Sequence, residues 1–238
     1  MKSPFRNTWE IYTGRFERVL LLMLFTTLPL LIVHSFATNY IYAITPSMDP
    51  LYSFADIYYG LITILLYIFA QVPYVRFVYN EYNDMERSFQ DAIFQFIVLG
   101  FTVFIFATIV SILSIIGFSL FIIPGFIILA LTLPVPYVSV FDKKSVWRSY
   151  KEGIRIGKKH FWKIFLLILV TGLLEMIAGV LITSQIFNIT NSFAAQIITQ
   201  IVLNLIYYPF IVMLLSSCMI KWREEQKVLE TRDETEVA

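Results

Sequence analysis

Glu175 is the residue in this sequence best placed to do chemistry. It is the only charged residue between Lys163 and Lys221, an apolar stretch of 57 residues. A carboxylate at that depth in a membrane helix is costly, about 2.5–3.5 kcal/mol for Asp on insertion scales. Such a residue either carries a proton or has a partner. Gln196, Gln200 and Asn204 recur four residues apart, so they share one helical face and offer partners at similar depth. That pairing predicts an interhelical polar clamp, or else a proton-coupled or substrate site. His34 lies in another apolar run and is a further candidate partner. A lone histidine among Leu, Ile and Phe reads as a hydrogen-bonded packing residue, because a metal site needs several ligands.

Other catalytic patterns are missing from the sequence. There is no HExxH, paired-cysteine or Asp-rich array, and only two histidines and one cysteine. The single Cys218 excludes an intrachain disulfide and reads as a small apolar packing residue. General acid–base catalysis needs converging groups, and the sequence offers one. No enzyme activity, cofactor or metal is therefore expected. Asn188-Ile189-Thr190 matches a glycosylation triplet, a pattern common by chance.

The elements that must position Glu175 follow from the charge spacing. The chain has 238 residues, 58% hydrophobic and 17% aromatic, and only 15% are charged. Residues 92–141 contain no charge at all. Residues 19–75 carry charge only at Asp49 and Asp56. With 164–220 these make three apolar blocks, each long enough for two crossings of about 20 residues and a turn. The expected fold is all-α: a polytopic transmembrane bundle of six helices in three same-orientation hairpins, with cytoplasmic amphipathic helices. The spans are expected at about 19–41, 54–78, 93–116, 118–141, 164–187 and 194–220. They form one domain, 1–220, followed by a charged cytoplasmic tail at 221–238 that is expected to fray. The break in the central hairpin is expected at Gly117 or at Pro124–Gly125. Pro29 is expected to kink the first span. That span is too long for a signal h-region and is taken as retained.

All 18 Lys and Arg fall at one end of these hairpins. The N-terminal segment, the end of the second span and the stretch after it, the loop 142–163 and the tail hold every one of them, and the opposite turns hold none. The positive-inside rule then puts both termini in the cytoplasm. Phe5, Trp9, Tyr12 and Phe16 share one face of an expected surface helix ahead of the first span. In the loop 142–163, Val146, Tyr150, Ile154 and Phe161 can form an apolar stripe, bracketed by Trp147 and Trp162. Arg148, Lys151, Arg155, Lys158 and Lys159 fill much of the remainder. A basic amphipathic helix of this kind suits a membrane surface rich in anionic lipid headgroups. Nucleic acid is not an expected partner, since the aromatics sit where a bilayer interface favours them.

The return spans end alike. Val72-Pro73-Tyr74-Val75 recurs as Val135-Pro136-Tyr137-Val138, and more loosely as Tyr208-Pro209-Phe210-Ile211. Downstream, the heptad at 87–93 aligns with that at 148–154. This points to an internal repeat. Pro73, Pro136 and Pro209 are expected to kink their helices, either for packing or to open a cavity on the cytoplasmic half.

Ile122-Ile123-Pro124-Gly125-Phe126 opens the fourth span. An apolar run follows to 134–137, then Val146-Trp147-Arg148-Ser149-Tyr150-Lys151-Glu152-Gly153 and the Phe161-Trp162 start of the fifth span. This layout resembles a broad group of bacterial six-helix membrane proteins of unknown function, including the membrane domain fused to some glycerophosphodiester phosphodiesterases. The likeness covers most of the chain and is sharpest over 117–165. It implies the topology and a bacterial cytoplasmic membrane. No stretch is left for the phosphodiesterase's catalytic barrel, so the resemblance implies no reaction.

Two functions fit these residues. One is a non-enzymatic membrane protein acting by interaction, in membrane or envelope maintenance, assembly or protection. Its partners would be lipids, a second membrane protein or another copy of the chain. The other is a transporter or exporter of a small amphipathic or lipid-like molecule, using a cavity near Glu175.

Overall fold

The computed structural model describes residues 3–45, 53–190 and 192–237, with side chains as far as Glu225. Among these residues every regular element is helical. The helices are α1 (Pro4–Gly14), α2 (Phe16–Leu22), α3 (Leu28–Ile44), α4 (Phe54–Ala70), α5 (Val72–Tyr82) and α6 (Ser88–Leu120). They continue as α7 (Ile122–Thr132), α8 (Pro134–Asp142), α9 (Val146–Lys159), α10 (Phe161–Ile189) and α11 (Phe193–Val237). Six stretches are long and apolar enough to cross a bilayer: Phe16–Ile44, Phe54–Tyr82, Ser88–Leu120, Ile122–Asp142, Phe161–Ile189 and Phe193–Glu225. The chain is an integral membrane protein of the all-α class. Within it α3 packs on α4, α6 on α7 and α10 on α11.

Proline placement decides where these helices break. Pro lacks the N–H that a helix interior needs, and its ring crowds the carbonyl four residues back. In the first span the outcome is a π-helical turn, Met23–Thr27, just before Pro29. The wider turn makes room for the crowded carbonyl. Gln71 separates α4 from α5, which has Pro73 in its first turn. Leu133 separates α7 from α8, so the break falls before Pro134, with Pro136 inside α8. Pro209 lies inside α11, which continues through it. The tail, expected to fray, is helical to Val237.

The central reversal also differs from expectation. Gly117 is helical, and the chain turns at Phe121, whose backbone is extended (φ −157°, ψ 151°). A Cβ on Gly117 would lie 2.8 Å from the Gly125 nitrogen, and one on Gly125 2.4 Å from the Phe118 ring. These glycines serve a close crossing of α6 and α7, and the reversal itself needs neither. The expected turn over 45–53, with Asp49, lies largely outside the described residues. What is described there is its exit: Ser53 caps α4 together with Asp56, and Asp56 accepts a 2.6 Å hydrogen bond from the Tyr42 hydroxyl.

The core lies in the basic half of the bundle. Residues 71–78, 133–141 and most of 211–220 are buried, and α5, α8 and α11 meet one another there. Pro73, Pro136 and Pro209 are all buried in this hub. The prolines therefore sit in the tightest part of the molecule. α9 docks on the hub through small residues. A Cβ on Gly153 would fall 2.5 Å from Val135 Cα, and one on Gly157 2.4 Å from the Leu131 carbonyl oxygen. Its buried face is Val146, Ser149, Gly153, Ile156 and Gly157. The expected stripe is corrected accordingly: Val146 is buried, but Tyr150 is exposed and Ile154 only half-buried. α1 lies on the outside of the bundle, with Thr8 its one buried residue, and is anchored there. Its Phe5, Trp9 and Tyr12 rings meet Phe210 edge-on at 6.0, 6.3 and 5.6 Å, and Thr8 hydrogen-bonds Met213 and Ser217 of α11.

Candidate functional site: an intramembrane cleft around Glu175

Four helices build the cleft. α10 packs on α7, α9 and α11 but not closely on α3 or α4. Its apolar window is only 6% buried, against 56% for the second span. A Cβ placed on Gly172 or Gly179 would meet nothing within 4 Å. The space this leaves is a cleft of about 510 Å³ between α10–α11 and α3–α4. Smaller cavities of about 130 and 380 Å³ adjoin it, and Glu175 lines all three.

Glu175 stands midway between Phe161 and Ile189, the two ends of α10. From there the lining climbs toward the far ends of the helices. On α3 it comprises His34, Ser35, Thr38, Asn39 and Tyr42, and on α11 Gln200 and Asn204. Tyr42 is two residues from the end of α3, so the cleft runs from mid-depth to the side that carries no basic residue. The structure brings Glu175, Gln200, Asn204 and His34 to one cavity. It leaves Gln196, nearer the end of α11, off the cavity wall.

The expected clamp does not form. Among the described residues, the Glu175 carboxylate makes no hydrogen bond or ion pair to Gln200, Asn204 or His34. His34 is held elsewhere: its Nε2 lies 2.9 Å from the Thr63 hydroxyl oxygen. That hydroxyl already donates to the Tyr59 carbonyl at 2.7 Å. The imidazole must therefore be the donor, and Thr63 has no proton for a base to take. Next to this pair, Tyr208 donates to the Tyr67 carbonyl at 2.8 Å, and the two rings meet edge-on at 5.2 Å. The walls are thus fixed by their own bonds, while Glu175, Gln200 and Asn204 keep hydrogen-bonding capacity for an occupant. Among the described residues no three His, Cys, Asp or Glu converge as metal ligands.

Sequence reasoning missed most of the α3 wall. Its signal was present: positions 34, 35, 38, 39 and 42 are all polar or Tyr and recur at three- and four-residue spacing, a stripe on one helix face. It also missed an ion-pair belt at the basic end. Arg76, buried there, contacts Asp91 at 2.5 Å, and Asp91 also receives bonds from Asn80 and Lys143. Arg223 pairs with Asp142 and Glu152 at 2.8 Å each.

At the same end, α9 presents Arg148, Lys151, Arg155, Lys158 and Lys159 at its exposed face, with Trp147 and, at the start of α10, Trp162 also exposed. His160, at the C-terminus of α9, stacks on Trp222 with ring centroids 4.9 Å apart. Burial pushes its protonation below the ordinary histidine range, reinforced by the positive charges of Lys163 and Lys159. No protein-family model, curated protein or solved structure matches this chain.

Proposed function

We propose that this protein acts by binding a small amphipathic, lipid-like molecule in the Glu175 cleft, and that it works on the membrane through this interaction rather than by making or breaking bonds. The observation that carries the reading is an unpaired carboxylate at mid-depth in a cleft of about 510 Å³. That volume falls within the usual range for small-molecule sites, roughly 300–1,000 Å³. The loose seating of α10 supplies a lateral path from the lipid. Catalysis has less support: the one His–Thr contact in the cleft has its hydroxyl proton committed to the Tyr59 carbonyl.

The basic end is the cytoplasmic end in this reading, because every Lys and Arg lies there. The cleft then opens toward the outer leaflet, and the exposed basic face of α9 meets anionic headgroups on the inner one. A bacterial cytoplasmic membrane, and a role in envelope maintenance, assembly or protection, accord with the family resemblance noted from the sequence. A cysteine replacing Thr190 should react with an impermeant maleimide added outside intact cells; labelling only after lysis would reverse the orientation. For the binding itself, a photoreactive amphipath should crosslink to α3, α10 or α11 in membranes, and labelling confined to other helices would count against the cleft.

Transport is the second reading. The cavities of about 130 and 380 Å³ continue from Glu175 to Ala70, Leu133 and Ile211, so a partial path leads toward the basic end. The hub of α5, α8 and α11 closes that path, and a transporter would have to part it.

A further inference from the structure

The charge of the cleft's occupant is legible in what surrounds Glu175. None of the residues lining the three cavities is Lys or Arg. None exists nearby either, since residues 19–75, 92–141 and 164–220 contain no Lys or Arg, and their one histidine, His34, spends its Nε2 on the Thr63 hydroxyl. An anionic group entering the cleft would meet a carboxylate and no compensating positive charge. A neutral group would leave Glu175 without a partner and so holding its proton. A cation would supply the partner the protein itself withholds.

The aromatic walls point the same way. Tyr59, Tyr67 and Tyr208 line the inner chamber with Glu175. Tyr208 is held in place by its bond to the Tyr67 carbonyl and by edge contacts with the Tyr67 and Tyr74 rings at 5.2 and 6.1 Å. Tyr59 is held against the His34 ring at 5.5 Å. Tyrosine ring faces attract cations electrostatically, most strongly where water is excluded. A rigid set of rings around one carboxylate is a chemical match for a soft organic cation. The adjoining chamber, with Phe118, Phe126, Leu129 and Ile168, is apolar and would take a hydrocarbon or aromatic body.

Resting on the cleft reading above, we infer that the occupant is a hydrophobic organic monocation, an amine-, ammonium- or phosphonium-type amphipath, whose positive centre pairs with Glu175. The test uses the full chain in phosphatidylcholine nanodiscs, with empty nanodiscs subtracted. Three probes of similar bulk are compared by equilibrium dialysis: methyltriphenylphosphonium, methyltriphenylborate and neutral triphenylphosphine oxide. Phosphonium should bind saturably, the oxide at least tenfold more weakly, and the borate not saturably. Glu175→Gln should weaken phosphonium binding at least tenfold and leave the oxide unchanged, while Glu175→Asp should retain phosphonium binding within a few fold.

Saturable binding of the oxide as tight as the phosphonium, with both indifferent to Glu175→Gln, would overturn the inference and leave the cleft reading standing. Saturable binding of the borate would overturn it too. Binding of none of the probes would overturn both. Where Glu175→Gln does not fold, the ranking of the three probes on the unaltered chain decides.

Discussion

Removing Asp91 should destabilise the protein more than removing Arg76, although the two face each other in one ion pair. The side chains are unequally sealed: Arg76 is 1% exposed and Asp91 24%. Asp91→Ala strands a guanidinium whose remaining acceptors are the Val140 and Phe141 carbonyls, at 3.3 and 3.2 Å. Breaking a buried pair so that a charge is left behind costs about 3–5 kcal/mol. Arg76→Met leaves Asp91 with Asn80 and Lys143, each at 3.0 Å, and with partial access to solvent. The methionine stem fills much of the vacated volume. That change loses charge-assisted bonds to one carboxylate, on the order of 1.5–3 kcal/mol. The gap between the two variants should be about 1.5 kcal/mol, roughly tenfold in the unfolding equilibrium. The double variant should sit close to Arg76→Met alone, because the stranded charge is gone. The assay is unfolding in maltoside micelles titrated with dodecyl sulfate, followed by tryptophan fluorescence. An Arg76→Met cost equal to or above that of Asp91→Ala would refute the argument.

Gly157→Ala should cost about 1–3 kcal/mol by overpacking, because its Cβ would sit 2.4 Å from the backbone oxygen of Leu131. Gly179→Ala, with open space around it, should stabilise by up to about 1 kcal/mol from helix propensity. Melting temperatures in detergent check both, and a neutral Gly157→Ala would mean that α9 is not seated as described. His160 gives a pH dependence. Its folded-state value is lowered, so the folded protein is favoured above the unfolded imidazole's value of about 6.5, and stability is lost as pH falls through the lower folded value. His160→Phe, which keeps a ring for Trp222, should flatten the melting temperature between pH 7.5 and 5. Equal slopes in the two proteins would contradict the assignment.

The architecture was readable because charge spacing alone fixes how often the chain can cross a bilayer. Three blocks free of Lys and Arg admit six crossings, and six are present. The packing was harder to read. Pro73, Pro136 and Pro209 suggest loosened helices, yet all three are buried, as are Tyr74 and Tyr137 beside the first two. Proline removes one backbone bond, and close side-chain packing on three sides outweighs that loss. Gly153 and Gly157 add nothing to a hydrophobic pattern, and only the approach of another backbone shows their use. Glu175 was identifiable by its isolation in sequence. Its lack of a partner was not, because whether Gln200 reaches it depends on how far α10 stands from its neighbours.

The seat of α1 bears on how such a chain is made. Thr8 bonds to Met213 and Ser217, and Phe5, Trp9 and Tyr12 close around Phe210. Arg76 likewise finds two of its acceptors at Val140 and Phe141. While the ribosome is still at work, the first residues to emerge have no resting place, and an early guanidinium waits for carbonyls not yet synthesised. Assembly of the hub is therefore a late event in biogenesis, and a nascent chain released before its final helix would expose unfinished contacts to quality-control proteases.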